Sequence, residues 1–343
     1  MPFQLDKEIQ AQMGPLLEAA RNAPKLAVDD IQGRRKAFER MLAMVNARGI
    51  AGDVKIKDYY TTTNDGYNMP LRWYTLKNKS HSSPPGPAVL YLHGGGMILA
   101  NVGLYDHTVS NYVSQSGIPF LSVEFRSAPE QQDIVHDNYH ALQWLSTHAD
   151  ELGVDPTRIA VMGDSGGGGL AACLAIYARD RCFSPAIAMQ ILIYPMLDDR
   201  NTKPNSHLVP FMAWDYDSNE TAWRAILEND SETGIGGPRV SAYKAAARIG
   251  DAAGLPSAYI DVGDLDIFRD EDIEFAKRLT MAGVHCELHV RSGCPHGYDG
   301  FAPDTTVGKR ANADKVRVLQ SLRSGMSPEN SKTPAEASTT FKL

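Results

Sequence analysis

Apolar residues recur at helical spacing over two stretches near the start of the chain, residues 5–22 and about 28–48. This spacing predicts two amphipathic helices, because side chains three and four positions apart share one face of a helix. The next two apolar stretches, 54–60 and 71–76, are short and rich in β-formers, and a Thr-Asn-Asp-Gly-Tyr-Asn run lies between them. They predict an antiparallel hairpin.

From about residue 84 onward, short apolar runs alternate with longer stretches of helical periodicity. Strands joined by helical crossovers pair in parallel and are buried on both faces, so this rhythm predicts an α/β fold around a mostly parallel sheet. The predicted strands are 88–92, 119–126, 158–162, 186–194, 258–262 and 286–290, and the predicted helices are 106–115, 133–152, 170–179, 270–282 and 309–322.

One interval interrupts the alternation. Residues 201–240 contain no strand pattern but many aromatic residues and one helical stretch, so we expect an inserted helical segment rather than a long loop. Together with residues 1–50 it is expected to form a helical cap over a core divided into 51–200 and 241–325. The polar segment 326–343 has too little apolar surface to fold and is expected to be disordered.

Composition narrows the classes of function. With 43% apolar and 22% charged residues, the chain has a composition typical of a globular protein. Its net charge is -7 and its Lys and Arg residues form no basic stripe, so nucleic acid is not an expected partner. No apolar run is long enough to span a membrane, and the first residues lack a signal-peptide pattern. We therefore expect a cytoplasmic protein, and the final Phe-Lys-Leu favours a peroxisomal location only weakly. The four cysteines have no zinc-type or disulfide spacing, and we expect neither metal nor cofactor.

A serine stands where the strand at 158–162 gives way to a helix, in the run Gly163-Asp-Ser-Gly-Gly167. The Gly-x-Ser-x-Gly spacing is typical of a nucleophile elbow, in which a strained turn lifts the serine hydroxyl above the sheet. Taken alone, the run also fits a glycine-rich turn that packs closely or holds a phosphate.

Two further residues favour the catalytic interpretation of Ser165. Asp266 follows the predicted strand 258–262, and His296 follows the predicted strand 286–290. A serine is a nucleophile only when a base and an orienting acid reach it, and the order Ser, Asp, His is the one used by folds with this elbow. Asp264 competes with Asp266 for the role of the acid, but its position favours a turn-capping carboxylate.

These motifs resemble those of the hormone-sensitive lipase family of α/β-hydrolases, the bacterial family IV esterases, over about residues 87–301. The resemblance implies an α/β-hydrolase fold with a helical cap, Ser165 as nucleophile, His296 as general base and acid, and Asp266 as the orienting acid. The matching segments are His93-Gly-Gly-Gly96, Arg126-Ser-Ala-Pro-Glu130, Asp155-Pro-Thr-Arg-Ile159, Gly163-Asp-Ser-Gly-Gly167, Tyr194-Pro195, Leu255-Pro256, Asp266-Ile-Phe-Arg-Asp-Glu271 and His296-Gly-Tyr298.

The resemblance also implies an oxyanion hole built from the backbone N–H groups of Gly95, Gly96 and Gly166. Position 166 is commonly alanine in that family and is glycine here, a change that keeps the N–H group. Large apolar side chains of the insertion and of the residues after the glycine loop suggest an acyl pocket. Because no lipid-interface surface is evident in the sequence, we expect short- to medium-chain ester substrates. These candidate pocket residues are Met97, Ile98, Phe211, Trp214, Tyr216 and Trp223.

Other functions on the same scaffold stay open at this point. Plant hormone receptors of the family bind small molecules after losing the catalytic histidine, whereas His296 is present here. Lactonases, dehydratases and amidases use similar sites, so the sequence leaves ester, lactone and amide substrates open. We expect a small-molecule ester as the partner, and a homodimer is an assembly that the sequence allows.

Overall fold

Eight strands form one sheet through the described part of the chain. The computed structural model describes residues 3–78, 84–227 and 231–324; the predicted disordered tail, 326–343, lies outside these residues. The strands are β1 (Val54–Thr62), β2 (Asn68–Leu76), β3 (Gly86–Leu92), β4 (Phe120–Val123), β5 (Val154–Asp164), β6 (Met189–Ile193), β7 (Ala258–Gly263) and β8 (Cys286–Arg291).

The spatial order of the strands is β1-β2-β4-β3-β5-β6-β7-β8. The pairs β1·β2 and β2·β4 are antiparallel, and every later pair is parallel. The predicted hairpin and the predicted mostly parallel sheet are both confirmed. Because β5, β7 and β8 run in parallel, the loops that follow them open at the same edge of the sheet.

Both faces of the central strands are buried, which explains why these strands read as unbroken apolar runs. In β3, Leu90 and Leu92 face one core cluster, whereas Val89 and Tyr91 face the cluster on the opposite side. Burial of each such side chain stabilises the fold by about 1.5–3 kcal/mol. The sheet therefore forms a rigid platform beneath the elbow.

Ten α-helices lie within the described residues, and most cover the two faces of the sheet. Asp6 caps the first of them by accepting hydrogen bonds from the N–H groups of Glu8 and Ile9, and Asp30 caps the second through Gly33. The helices are α1 (Lys7–Asn22), α2 (Ile31–Asn46), α3 (Asp106–Ser116), α4 (Ile134–Thr147), α5 (Ala149–Leu152), α6 (Gly166–Asp180), α7 (Tyr216–Ile226), α8 (Arg269–Met281), α9 (Tyr298–Phe301) and α10 (Thr306–Ser321).

The two N-terminal helices dock at different places. Ile9 and Met13 of α1 share a core cluster with Tyr298 of α9, so α1 packs on the segment that follows His296. The residues leading into α2 and its first turn instead contact α7 of the insertion. Asp29 N donates to Thr221 Oγ1 (3.3 Å), and Arg34 Nε donates to Ser218 Oγ (3.2 Å).

The described part of the insertion contains the helix α7 and a short 3-10 turn at Val209–Phe211, and no strand. The domain boundaries expected from the sequence stay a prediction. None of the helices in the described ranges is both long enough and apolar enough to cross a bilayer.

Candidate active site

Ser165 lies between the last residue of β5 and the first residue of α6, with φ 57° and ψ -121°. These backbone angles are strained for any residue that carries a side chain. Such strain persists only where the surrounding structure imposes it. A Cβ atom on Gly163 would overlap the backbone of Gly167, and one on Gly167 would overlap the Leu92 carbonyl. The tight packing of strand, turn and helix is thus the physical reason for glycine on both sides of the serine.

The loops after β7 and β8 bring Asp266 and His296 to this serine. His296 Nε2 lies 2.9 Å from Ser165 Oγ, and His296 Nδ1 lies 2.6 Å from Asp266 Oδ2. The other carboxylate oxygen of Asp266 accepts a hydrogen bond from Phe268 N (3.0 Å), and the Asp266 side chain is fully buried. The three side chains therefore form a continuous hydrogen-bonded chain that ends at the serine hydroxyl.

Asp264, the alternative acid, lies in a different environment. Its Oδ1 accepts a hydrogen bond from Gly293 N (2.7 Å) and so ties the loop after β7 to the loop after β8. The structure places Asp266, and not Asp264, in hydrogen-bond contact with His296.

Two aromatic rings hold the imidazole of His296. Tyr194 lies edge-on at 4.6 Å between ring centroids, and Phe268 lies edge-on at 5.2 Å. Tyr194 has a positive φ of 37°, and its N–H donates to the Asp261 carbonyl (2.7 Å). The rings restrict rotation of the imidazole, which keeps Nε2 directed at the serine.

The glycine loop after β3 lies beside the start of α6. Gly95 and Gly96 have φ values of 112° and 58°, which side chains rarely adopt. A Cβ atom on Gly166 would lie 2.8 Å from Gly96 N and 2.7 Å from Met97 N. The structure thus brings together the three glycines expected to form the oxyanion hole, and glycine at 166 permits this close approach.

His93 and Asp164 are buried titratable groups next to the elbow. Burial lowers the pKa of His93 to about 4, so its ring is neutral near pH 7, where it stacks on Phe125 and contacts the Gly94 carbonyl through Nδ1 (2.9 Å). Burial raises the pKa of Asp164 to about 6, and Tyr91 donates a hydrogen bond to its Oδ2 (2.8 Å). His93 therefore contacts the glycine loop as a neutral ring.

A cavity of about 110 Å³ opens above Ser165 and His296. Of the six candidate pocket residues, Trp214 lines this cavity, and its ring packs against Gly96. The other five lie outside the lining. Met97, Ile98 and Trp223 are buried, Tyr216 accepts a hydrogen bond from Asn205 N (3.1 Å) through its hydroxyl, and Phe211 is half-buried.

Much of the cavity wall comes from residues that the sequence reasoning did not assign to the site. One side is formed by the apolar stripe of α2, and the others by residues near the elbow and α9. The periodicity of α2 was a usable signal, but it indicates a buried face without saying what that face covers. The unassigned residues of the wall include Phe38, Met41, Leu42, Val45, Tyr105, Tyr112, Tyr194, Asp299 and Phe301.

Among the described residues there is no cluster of metal ligands, and Cys294 is not an activated thiol. No group of three or more His, Cys, Asp or Glu side chains within the described ranges could hold a metal ion. Cys294 is buried, and burial raises the pKa of its thiol, which disfavours the reactive thiolate.

Comparison with known proteins places this geometry among ester hydrolases. A family model described as the alpha/beta hydrolase fold matches residues 89–300. The chain is 29% identical over 322 residues to an ethyl acetate hydrolase of Pseudomonas putida, and this alignment covers 90% of this chain and 95% of that protein. It is 34% identical over 243 residues to the esterase LipI of Mycobacterium tuberculosis, with 68% and 73% of the two chains covered.

Solved structures of esterases also superpose on this chain. A bacterial heroin esterase superposes with a TM-score of 0.82 at 32% identity and covers 93% of this chain and 98% of its own. The esterase LipW of Mycobacterium marinum superposes with a TM-score of 0.74 at 30% identity over the same shares of the two chains.

Proposed function

The chain belongs to the hormone-sensitive lipase (family IV) group of α/β-hydrolase carboxylesterases, and from that premise we propose that it cleaves short- to medium-chain acyl esters through an acyl-enzyme on Ser165. Its activity is that of a carboxylesterase. The observation that carries the finer proposal is the hydrogen-bonded chain from Ser165 Oγ through His296 to Asp266, with distances of 2.9 Å and 2.6 Å.

In the first half of the reaction, Ser165 Oγ attacks the carbonyl carbon of the ester while its proton passes to His296 Nε2. The carbonyl oxygen becomes an oxyanion. When the tetrahedral intermediate collapses, the bond to the alcohol oxygen breaks and Nε2 gives its proton to that oxygen. The alcohol leaves, and the acyl group stays bound to Ser165.

In the second half, water takes the position of the alcohol. His296 Nε2 removes a proton from the water as its oxygen attacks the acyl carbon, and then returns a proton to Ser165 Oγ as the acid is released. Asp266 stays ionised throughout, because its role is to hold the Nδ1–H tautomer and to stabilise the imidazolium.

The oxyanion is stabilised by the N–H groups of Gly95, Gly96 and Gly166. Loss of one such donor typically costs about 3 kcal/mol of transition-state stabilisation. The close approach of the glycine loop to the start of α6 supports this assignment. The positive end of the α6 dipole adds to the attraction for negative charge.

The cavity supports a preference for small substrates. Its volume, about 110 Å³, is similar to that of engineered cavities of about 150 Å³ that hold a benzene-sized molecule. The side chains of α2 and Trp214 make much of its wall apolar. We propose that residues 1–50 and 201–240 form the cap that limits substrate length. That the protein forms a homodimer stays a prediction.

Replacement of the nucleophile tests the proposal directly. We expect Ser165→Ala to lower kcat for p-nitrophenyl acetate and butyrate by roughly a million-fold, while circular dichroism and thermal unfolding stay as in the wild type. A wild-type burst of p-nitrophenol equal to the enzyme concentration would report the acyl-enzyme. Hydrolysis by Ser165→Ala at the wild-type rate would refute the proposal.

A further inference from the structure

The guanidinium group of Arg35, near the start of α2, bonds to two backbone segments of the core. Its Nε donates to the Ile98 carbonyl (2.8 Å), and its Nη2 donates to the Ala128 carbonyl (3.2 Å). Nη1 and Nη2 also donate to the two carboxylate oxygens of Glu130, at 2.8 Å and 2.9 Å. The planar fork of one side chain therefore joins α2 to both segments at once.

One of these segments is the turn that carries two glycines of the proposed oxyanion hole. Ile98 N donates to the Gly95 carbonyl (3.1 Å), which closes the turn. Met97, inside the turn, has a positive φ of 64°, and its carbonyl accepts a hydrogen bond from Ala128 N (2.9 Å). Such a strained backbone persists only where its surroundings impose it. The contacts of Arg35 with the carbonyls of Ile98 and Ala128 are part of those surroundings.

The helix that carries Arg35 also forms the apolar wall of the cavity. Phe38 and Leu42 follow Arg35 by three and seven residues, so the three side chains lie on one face of α2. That face lines the cavity at Phe38 and Leu42 and bonds to the glycine turn at Arg35. The position of α2 and the position of the turn are therefore linked by a direct contact.

The contacts of Arg35 are expected to matter more for the reaction rate than for folding. The Glu130 side chain is 54% exposed, and ion pairs with an exposed partner contribute little to stability. An oxyanion-hole donor, in contrast, affects the rate steeply, since loss of one donor lowers kcat by roughly a hundred- to a thousand-fold. A small displacement of the turn would therefore slow the reaction while the fold stays intact.

We propose that Arg35 is a positioning residue for the oxyanion hole. It holds the turn at residues 95–98 against the start of α6, so that the backbone N–H groups converge on the carbonyl oxygen of the substrate. It acts through the backbone and does not touch the reacting atoms. This inference rests on the proposed ester hydrolysis and adds a residue of α2 that sets its rate.

Replacement of Arg35 by methionine removes the hydrogen-bond donors and keeps a long apolar side chain. We expect Arg35→Met to lower kcat and kcat/KM for p-nitrophenyl butyrate by a similar factor, roughly tenfold, because the oxyanion forms only in the transition states. Arg35→Lys should recover only part of the loss, since an ammonium group lacks the planar fork. Lys36→Met is the matched control, because it removes an exposed charge at the next position of α2 and should keep the wild-type kcat.

A transition-state analogue separates positioning of the oxyanion hole from packing of the pocket. Ser165 Oγ adds to the ketone carbon of 1,1,1-trifluoroheptan-2-one, its proton passes to His296, and the ketone oxygen becomes an oxyanion. Heptan-2-one fills the same space but forms no stable adduct. We expect Arg35→Met to raise the inhibition constant of the trifluoroketone by roughly tenfold and to leave that of heptan-2-one unchanged.

Three results would overturn the role of Arg35: wild-type kinetics in a folded Arg35→Met variant, equal weakening of both ketones, or the same rate loss in Lys36→Met. If circular dichroism shows that Arg35→Met does not fold, Glu130→Gln supplies the measurement, since it removes only the charge of the exposed partner. It should raise the trifluoroketone constant several-fold, and an unchanged constant would overturn the inference. A wild-type enzyme that neither hydrolyses esters nor binds the trifluoroketone would overturn the proposed function itself.

Discussion

At the scale of single residues, His296 is restrained from several directions. Its Nδ1–H donates to Asp266, its Nε2 faces Ser165, and the rings of Tyr194 and Phe268 lie against its edges. Asp266 is itself fixed by the N–H of Phe268, two residues along the chain. The tautomer and the orientation of the imidazole are thus determined before any substrate binds.

We expect Asp266→Asn to lower kcat for p-nitrophenyl butyrate by roughly ten-thousand-fold. The amide can donate to Nδ1, which would place the proton on Nε2 and remove the acceptor that Ser165 needs. Steady-state kinetics of the purified variant measure this loss. The matched control is Asp264→Asn, which changes a carboxylate two residues away that is bonded to Gly293 N. Comparable losses in both variants would contradict the assignment of the acid.

At the scale of elements, α2 contributes a whole wall of the cavity. Phe38, Met41, Leu42 and Val45 line it, spaced as a single face of the helix, while Arg40 points to solvent. The contacts of Asp29 and Arg34 with α7 hold the start of this helix against the insertion. The shape of the pocket therefore depends on a helix that lies far from Ser165 in sequence.

A larger side chain on the inner face of α2 should shorten the accepted substrate. We expect Met41→Trp to reduce kcat/KM for p-nitrophenyl butyrate by roughly tenfold more than for the acetate, because each methylene in a tight pocket counts for 1–3 kcal/mol or so. Arg40→Trp adds the same ring to the outer face and should leave the butyrate-to-acetate ratio unchanged. If both variants alter that ratio equally, α2 does not limit the substrate.

At the scale of the whole molecule, buried charges tie the last elements of the chain to the site. Asp261 of β7 accepts hydrogen bonds from Arg291 of β8 and from the Tyr298 hydroxyl of α9, and Arg291 also pairs with Asp314 of α10. Lys315 of α10 reaches Asp299 of α9. This network holds the segment that follows His296 against the sheet.

We expect Asp261→Asn to lower the free energy of unfolding by roughly 3 kcal/mol, since it leaves the largely buried Arg291 short of its main counter-charge. Urea denaturation followed by tryptophan fluorescence measures the change. Asp58→Asn is the control, because Asp58 forms an exposed ion pair with Arg72 and should cost much less. Equal losses of unfolding free energy in the two variants would show that the buried network stabilises the fold no more than an exposed ion pair does.

The sequence alone determined the sheet, the position of the elbow and the expected identities of Ser165, Asp266 and His296. These features depend on local rules: strands and helices follow the period of apolar residues, and the elbow requires glycine at fixed distances from the serine. Chain order then placed the candidate acid and base after parallel strands, whose ends meet at one edge. The spacing of Asp266 after Gly263 and before Asp270-Glu271 favoured it over Asp264 before the structure was known.

Only the tertiary structure decided what surrounds the serine. The aromatic residues Phe211, Tyr216 and Trp223 carry the same sequence signal as Trp214, yet only Trp214 reaches the cavity. The wall from α2 and the carboxylate of Asp299 come from segments whose local patterns indicate burial but not the partner. Periodicity specifies which face of a helix is covered, whereas the packing of distant segments specifies what it covers, and substrate choice depends on the latter.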